Sequence, residues 1–414
     1  MSIANFDEAR KRLSLFYMVS SDYQLDAIKQ FLNFLGNPQE KIKVVHVAGT
    51  SGKTSTAYYC AALLKSAGYK VGLTVSPHVD EINERVQINL EPLQEDVFCN
   101  ELDTLLGLIA ESGLRLSYFE VMVTFAYWKF AKENVDYAVV EVGLGGRIDG
   151  TNVVSRNDKI CVITDIGFDH TKILGTTLPE ITAEKAGIIG EYNEVFTHRQ
   201  ALEVLDVIKD ASKKHHAKLH VVDEINDSRY INLPLFQQHN IQLAVAVSRK
   251  VLERENKELA DSCIEEAVQT YVPARMEVLE YAGKTIIVDG SHNGQKLHAL
   301  LASIAGRYPG QAIAGLVAFV DGDDVRVSEG VNELIKNMNH IIVTEFSGEQ
   351  DVPKQSINAK LIAKVCKQKG FNSVETVVEP KKALAQLLER PEPILLVTGS
   401  FYLLNHVRPH IINL

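Results

Sequence analysis

A short apolar run at residues 44–48 leads directly into the segment Gly49-Thr50-Ser51-Gly52-Lys53-Thr54-Ser55, and helical periodicity follows it. Strand, glycine-rich loop and helix in this order form the context in which such a loop can hold phosphate. Glycine lets backbone amides turn inward around phosphate oxygens, and the start of the helix contributes N–H groups and partial positive charge. We therefore predict a nucleotide-phosphate-binding loop. In it, Lys53 reaches the β- and γ-phosphates and the hydroxyl of Thr54 or Ser55 lies near Mg²⁺.

The loop is shorter than the common form G-x-x-x-x-G-K-[ST], which would need glycine at position 47, where this chain has Val47. It has the form G-T-x-G-K-T instead. The alternative interpretation is a glycine turn that only connects a strand to a helix. A lysine followed by paired hydroxyls has no packing purpose in such a turn, which favours the phosphate-binding interpretation.

Short runs rich in β-branched residues alternate with longer amphipathic segments, a pattern typical of an α/β fold with a parallel sheet and helices on both faces. The predicted strands are residues 44–48, 71–75, 137–142, 160–164, 285–289, 314–318, 340–344 and 394–398. The predicted helices include residues 57–67 and 118–132, and residues 209–218 read as a charged, solvated helix face. Because 414 residues exceed one ordinary core, we predict two domains, 1–271 and 272–414, that meet near Tyr271-Val272-Pro273.

Composition excludes several classes of protein. The formal net charge is -10, so no overall basic field attracts nucleic acid or an anionic membrane. The five cysteines show no C-x-x-C spacing, which argues against a disulfide framework or a zinc site. The first eight residues do not resemble a signal peptide, and no stretch approaches the roughly 20 apolar residues of a membrane span. We expect a soluble, cytoplasmic protein with reduced, buried thiols.

Blocks of residues after the phosphate loop narrow the interpretation further. They include Ser76-Pro77-His78, Glu141-Val142-Gly143-Leu144-Gly145-Gly146-Arg147 and Asp289-Gly290-Ser291-His292-Asn293. The full set lies at residues 46–53, 76–78, 83–89, 141–149, 165–170, 184–189, 273–277, 289–293 and 398–403. In these blocks, which run in order over nearly the whole chain, the protein resembles the folylpolyglutamate synthase/dihydrofolate synthase branch of the Mur ligase superfamily.

The resemblance implies a P-loop, Mur-ligase-like ATPase domain with a parallel sheet, a smaller Rossmann-like C-terminal domain, and catalysis in the cleft between them. It also implies an ATP- and Mg²⁺-dependent ligase that joins dihydropteroate or a folate to L-glutamate. The acid would attack the γ-phosphate of ATP, and the amino acid would then displace phosphate from the acyl phosphate. A monomer with small-molecule substrates, and no nucleic acid or membrane partner, is expected.

Two alternatives stay open at this point. Lys53-Thr54 is similar to the loops of muramyl and cyanophycin-type ligases, so the acid could be a different small molecule. The usual domain for a UDP-sugar would not fit before residue 49, which argues against cell-wall nucleotide substrates. The other alternative is a nucleotide-gated binding protein without ligase activity, although such a protein need not keep Lys53, Glu141, His170 and Lys185.

Residue roles are carried over from the matching blocks. By the resemblance, Glu141 and His170 bind Mg²⁺ with Ser76, and Thr54 adds its hydroxyl. Lys185 is a carbamylated lysine, an ammonium that contacts the acyl phosphate, or a surface lysine. The remaining implied contacts are Gln237 and Asn240 to adenine, Arg275 and Asp289 to nucleotide, His292 to the reaction centre, and Ser76, Pro77, His78 and Arg85 to the acid substrate.

Overall fold

The computed structural model describes residues 3–17, 24–322, 324–348 and 353–414. The chain forms two compact units. Unit 1 comprises Met1–Leu233 and Gln237–Tyr271, and unit 2 comprises Pro234–Phe236 and Val272–Leu414.

Unit 1 is built on an eight-stranded sheet in the order β4-β3-β2-β5-β1-β6-β7-β8. Its strands are β1 (Lys43–Ala48), β2 (Val71–Thr74), β3 (Gln87–Ile88), β4 (Glu91–Pro92), β5 (Tyr137–Glu141), β6 (Ile160–Ile163), β7 (Glu194–His198) and β8 (Lys218–Val222). The neighbouring pairs β2–β5, β5–β1, β1–β6, β6–β7 and β7–β8 are parallel. The pairs β2–β3 and β3–β4 are antiparallel and form one edge of the sheet. The predicted parallel sheet is confirmed, with an antiparallel extension that the short β3 and β4 segments did not indicate.

Helices cover this sheet. They are α1 (Phe6–Leu13), α2 (Asp26–Phe34), α3 (Lys53–Ser66), α4 (Glu95–Ser112), α5 (Tyr118–Lys132), α6 (Thr171–Leu174), α7 (Leu178–Ala186), α8 (Leu202–Lys214), α9 (Leu235–Arg254) and α10 (Asp261–Val268). Short 3-10 helices are Ser14–Phe16, Pro38–Lys41, Ile82–Arg85 and Ser228–Tyr230. Helix α5 has the predicted bounds because Ser117 and Glu120 form a capping box at its start. Ten of the 14 residues of α3 are buried, so the helix after the phosphate loop is fixed in the core.

Unit 2 contains a six-stranded sheet in the order β15-β12-β11-β16-β10-β9 and a two-stranded sheet of β13 and β14. Its strands are β9 (Glu277–Tyr281), β10 (Lys284–Val288), β11 (Ile313–Val317), β12 (His340–Val343), β13 (Ser347–Gly348), β14 (Lys354–Gln355), β15 (Val374–Thr376) and β16 (Ile394–Thr398). Only the β9–β10 pair of the larger sheet is antiparallel. Its helices are α11 (Gly294–Arg307), α12 (Asp324–Asn337), α13 (Ala359–Gln368), α14 (Pro380–Glu389) and α15 (Phe401–Ile411).

One predicted element is wrong in its extent. Residues 209–218 are not a single helix face, because α8 ends at Lys214 and β8 begins at Lys218. The loop between them contains His215 and His216, and both rings contact the carboxylate of Glu191. A charged composition therefore concealed the turn into an edge strand.

All five cysteines are buried free thiols, as predicted. None of the helices in the described part of the chain combines the length and apolar character that a bilayer crossing requires.

Candidate active site

The phosphate loop follows β1 and is anchored to the chain after β6. Gly49 has φ 153°, and a Cβ at this position would lie 1.9 Å from Thr164 Oγ1. The amides of Thr50 and Ser51 donate to the carbonyl of Asp165 at 2.8 and 3.2 Å. These contacts fix the first half of the loop, so its second half enters α3 at Lys53 in a defined position. Helix α3 thus presents its first N–H groups at the end of the loop.

Asn240 on α9 packs against the same loop. Gly52 has φ 86°, and a Cβ there would lie only 2.3 Å from Asn240 Oδ1. Gln237 and Asn240 are both buried, and the Asn240 amide lies 3.5 Å from Gln237 Oε1. Of the two residues that the family resemblance assigns to adenine, Asn240 therefore lies beside the phosphate loop and Gln237 lies next to Asn240, both in unit 1.

A pair of stacked imidazole rings lies beside Asp165, the residue that anchors the phosphate loop. His198 and His239 have ring centroids 3.5 Å apart, and His239 Nδ1 lies 3.4 Å from Asp165 Oδ2. Burial, reinforced by the neighbouring His239, lowers the pKa of His198 to about 4. The pKa of His239 is instead raised, because its ion pair with Asp165 outweighs the cost of burial. Asp165 thus joins the histidine pair to the backbone of the phosphate loop.

Two lysines converge on one carbonyl of the loop. Lys53 Nζ donates to Gly49 O at 3.1 Å, and Lys185 Nζ donates to the same oxygen at 2.9 Å. Lys185 is 4% exposed, which contradicts the interpretation of it as a surface lysine. Two ammonium groups at one oxygen concentrate positive charge where the loop would receive phosphates.

Glu141, Thr54 and Ser76 come together at the end of β5. Glu141 is buried, its Oε1 accepts a hydrogen bond from Thr54 Oγ1 at 2.8 Å, and its Oε2 accepts one from the Ser76 amide at 3.3 Å. Carboxylate and hydroxyl oxygens are the ligands that Mg²⁺ prefers, and it completes its coordination with water and phosphate oxygens. The donor set therefore fits Mg²⁺ beside a bound nucleotide.

His170, the other predicted metal ligand, precedes α6 with φ 50°. Its side chain is 44% exposed, and its Nε2 lies 3.8 Å from Asp169 Oδ1. Across the described ranges, no group of three or more His, Cys, Asp or Glu side chains is placed to hold a metal ion. Glu141 with the Thr54 hydroxyl and the adjacent Ser76 is consequently the cluster with the strongest case for a cation.

A pocket opens next to this cluster. Its lining is Thr74, Val75, Ser76, Arg85, Phe119, Met122, Val123, Glu141 and Thr151. Ser76 and Glu141 thus belong both to the oxygen cluster and to the pocket wall. Phe119 and Met122 were not predicted, because apolar residues on a buried helix give the same signal as core residues.

Arg85 is a fully buried arginine in the wall of this pocket, 2% exposed. Its Nε donates to His78 Nδ1 at 3.0 Å, and its guanidinium lies 5.4 Å from the centre of the Tyr118 ring. Burial and then the charge of Arg85 hold the pKa of His78 well below its usual range, so His78 is a neutral acceptor. His78 therefore holds Arg85, and Pro77 follows a cis peptide bond in the same loop.

Unit 2 contains the other predicted residues, at the carboxyl ends of β10 and β16. Asp289 is buried, and its two oxygens accept from the amides of Met276 and Ser291, each at 2.7 Å. Burial raises the pKa of Asp289, and the nearby Arg275 opposes that rise. Asp289 thus holds the backbone around Arg275 and Ser291.

The ring of Phe401 contacts two basic side chains, Arg275 and His292. The Arg275 guanidinium lies 4.6 Å from the centre of the Phe401 ring, and the His292 ring packs against it edge-on at 6.2 Å. His292 Nε2 in turn lies 3.0 Å from Lys296 Nζ. The sequence pattern did not indicate Lys296.

Known protein families match both units. The Mur ligase middle domain matches residues 47–243, and the Mur ligase, glutamate ligase domain matches residues 274–401. The dihydrofolate synthase/folylpolyglutamate synthase of Bacillus subtilis (strain 168) is 28% identical over 419 residues, which cover 93% of this chain and 94% of that protein. The folylpolyglutamate synthase of Lacticaseibacillus casei is 30% identical over 327 residues, which cover 71% of this chain and 76% of that protein.

The chain belongs to the folylpolyglutamate synthase and dihydrofolate synthase family. The crystal structure of the bifunctional folylpolyglutamate synthase/dihydrofolate synthase from Yersinia pestis, complexed with AMPPNP and a Mn ion, superposes with a TM-score of 0.84. That alignment has 24% identity and covers 99% of this chain and 98% of the other. It confirms the predicted fold class of this family member.

Within this member of the family, the predicted site residues form two groups. Unit 1 brings together the phosphate loop, Lys185, the cluster around Glu141 and the pocket that contains Arg85. Unit 2 brings together Arg275, Asp289 and His292. Lys53 and Lys185, which lie far apart in sequence, both contact the carbonyl of Gly49.

Proposed function

We propose that this protein is an ATP-dependent ligase that forms an amide bond between the carboxylate of dihydropteroate or a folate and L-glutamate, through an acyl phosphate. One observation carries the proposal. Glu141 accepts a hydrogen bond from Thr54 of the phosphate loop and also lines the pocket that contains Arg85. A carboxylic acid held in that pocket would lie next to the phosphates of a bound nucleotide.

The reaction begins at the acid. A carboxylate oxygen bonds to the γ-phosphorus of ATP, the bond between that phosphorus and the bridging oxygen breaks, and ADP leaves. Negative charge develops on the transferring phosphoryl group. Lys53 and Lys185 offset that charge, and Arg85 attracts the acid. Mg²⁺, held by Glu141, Thr54 and Ser76, with His170 as a further ligand, would neutralise charge on the phosphates when bound.

The second step joins the amino acid. The amino nitrogen of glutamate bonds to the acyl carbon, the bond from that carbon to the phosphate oxygen breaks, and phosphate leaves with the electron pair. The nitrogen loses a proton as the amide forms. We assign His292 to this step, Arg275 and Asp289 to the nucleotide, and Gln237 and Asn240 to the adenine.

The two units divide this work in our proposal. Residues 1–271 bind and activate ATP, and residues 272–414 bring glutamate. The buried Lys185 acts either as an ammonium or, after carbamylation, as a carboxylate near a second metal. We further propose that the protein works as a monomer in the cytoplasm, with small molecules as its only substrates.

The test is the dependence of ATP turnover on both co-substrates. ADP release should require dihydropteroate or a folate together with L-glutamate, and one amide should form per ADP. Lys53→Ala is the matched control and should abolish release. Equal turnover without the acid or without glutamate would refute the ligase proposal, and efficient replacement of the pteridine by unrelated acids would refute the folate assignment.

A further inference from the structure

His292 is held by hydrogen bonds at both ring nitrogens. Its Nδ1 lies 2.8 Å from the carbonyl oxygen of Gly290 and its Nε2 lies 3.0 Å from Lys296 Nζ. A carbonyl oxygen can only accept, so Nδ1 carries a proton. An ammonium can only donate, so Nε2 offers its lone pair. The two contacts together define a neutral imidazole, protonated on Nδ1.

We propose that Lys296 is a positioning residue for His292, which it holds by Nε2 as the neutral tautomer protonated on Nδ1. The inference deepens the function proposed above, because it rests on His292 acting when the amino acid adds. In that step the amine proton goes to a lone pair. That lone pair belongs to Nε2: Lys296 gives it up to the incoming amine in this step, while the bond from Nδ1 to the Gly290 carbonyl keeps the ring in a fixed direction.

The position of Lys296 in the fold supports a role beyond packing. It is the third residue of α11, and its backbone amide donates to the capping side chain of Asn293. A lysine in the first turn of a helix opposes the positive end of the helix dipole. Its charge is therefore unfavourable to the helix itself. The contact with His292 gives this charge a chemical use.

Other charged groups in unit 2 also affect the protonation of His292. Arg275 contacts the same Phe401 ring as His292, and its charge disfavours a proton on His292, as that of Lys296 does. Asp289 favours a proton, but its oxygens are bonded to two backbone amides. On α12, the Glu329 carboxylate lies near Gly294, at the start of α11. Lys296 Nζ lies 3.0 Å from Nε2 and so contacts the ring directly.

The experiment is an NMR titration of the histidine rings in the full-length protein, in wild type and in Lys296→Met. His292→Asn assigns the signal. The nitrogen shifts of wild type should report the tautomer protonated on Nδ1. In Lys296→Met the midpoint should rise by about one pH unit, because a like charge within 4–6 Å shifts a pKa by roughly that amount or more.

Two control variants separate positioning from structure. Lys296→Arg keeps the charge and should keep the wild-type midpoint. Lys364→Met removes an exposed lysine from α13 of the same unit and should change nothing. An unchanged midpoint in Lys296→Met, or a wild-type ring protonated on Nε2, would overturn the inference.

Kinetics then link the titration to the reaction. In Lys296→Met, the acid limb of the pH profile of kcat/KM for glutamate should move upward by the same amount as the midpoint, and Lys296→Arg should restore it. A lower rate with an unmoved acid limb would overturn the inference. Should wild type fail to join an acid to glutamate, the proposed function would fail, while the NMR titration would still decide the role of Lys296.

Discussion

Gly52→Ala tests the packing of the phosphate loop, and the chain offers a matched control on the same helix. Gly52 precedes α3 with φ 86°, where a Cβ would lie 2.3 Å from Asn240 Oδ1. Gly68 follows α3 with φ 90°, and a Cβ there meets nothing within 4 Å. Alanine therefore suffers the same backbone strain at both positions, but it collides with a neighbour only at Gly52.

The expected losses of stability follow from the backbone strain and the steric collision. Alanine in a left-handed conformation costs about 1–2 kcal/mol, which is the whole effect expected for Gly68→Ala. Overpacking of a filled site adds about 1–3 kcal/mol, so Gly52→Ala should lower the free energy of unfolding by about 2–5 kcal/mol. In an Asn240→Ala background the neighbouring carboxamide is gone. The cost of Gly52→Ala should then fall to that of Gly68→Ala.

Urea denaturation followed by tryptophan fluorescence measures this directly. Trp128 on α5 is the single tryptophan of the chain and therefore reports on unit 1. ATP affinity measured alongside should fall for Gly52→Ala and stay unchanged for Gly68→Ala. Equal losses of stability in the two variants, or a Gly52→Ala cost that persists without Asn240, would refute the account of this loop.

Three further predictions concern unit 1. Lys53→Ala should lower ligase turnover roughly 100–1000-fold, as expected for one lost contact to a developing charge, with an unchanged melting temperature; an active variant would contradict the role of Lys53. Glu141→Gln should raise the Mg²⁺ concentration needed for half-maximal turnover at least tenfold, and an unchanged titration would count against Glu141 as a ligand. His198 is neutral in the fold and protonates in the unfolded chain below pH 6.5, so its contribution to stability is lost as the pH falls from 6.5 toward 4. Between pH 6.5 and 4, the free energy of unfolding of wild type should therefore fall by up to about 3 kcal/mol more than that of His198→Phe. His239 reduces this difference, because its raised pKa adds stability as the pH falls. Parallel curves of unfolding free energy against pH would refute the assignment.

Local patterns in the sequence were sufficient to predict the centre of each sheet. Strands such as β1 and β16 are mostly apolar because they are buried on both faces, and their β-branched residues favour a strand. Edge strands behave differently. The strand β8 has no fully buried residue, and its first residue, Lys218, continues the charged run at the end of α8, so the boundary resembles a helix surface.

The candidate site was predictable where chemistry needs an unusual residue. Lys53 after two glycines and Glu141 at the end of an apolar strand both stand out, because a charge there is costly without a partner. Lys296 and Phe119 do not stand out. One lies in the first turn of an amphipathic helix and the other on a buried helix. Only the folded chain brings Lys296 to His292 and Phe119 to the pocket.

The central claim is that the acid is activated as an acyl phosphate, and oxygen-isotope transfer tests it most directly. Dihydropteroate labelled with ¹⁸O in its carboxylate is incubated with ATP, Mg²⁺, L-glutamate and the enzyme, and the released phosphate is analysed by mass spectrometry. The account predicts one ¹⁸O atom in inorganic phosphate for each amide formed, with ADP as the other product. Amide formation with ¹⁸O in AMP, or with unlabelled phosphate, would contradict it.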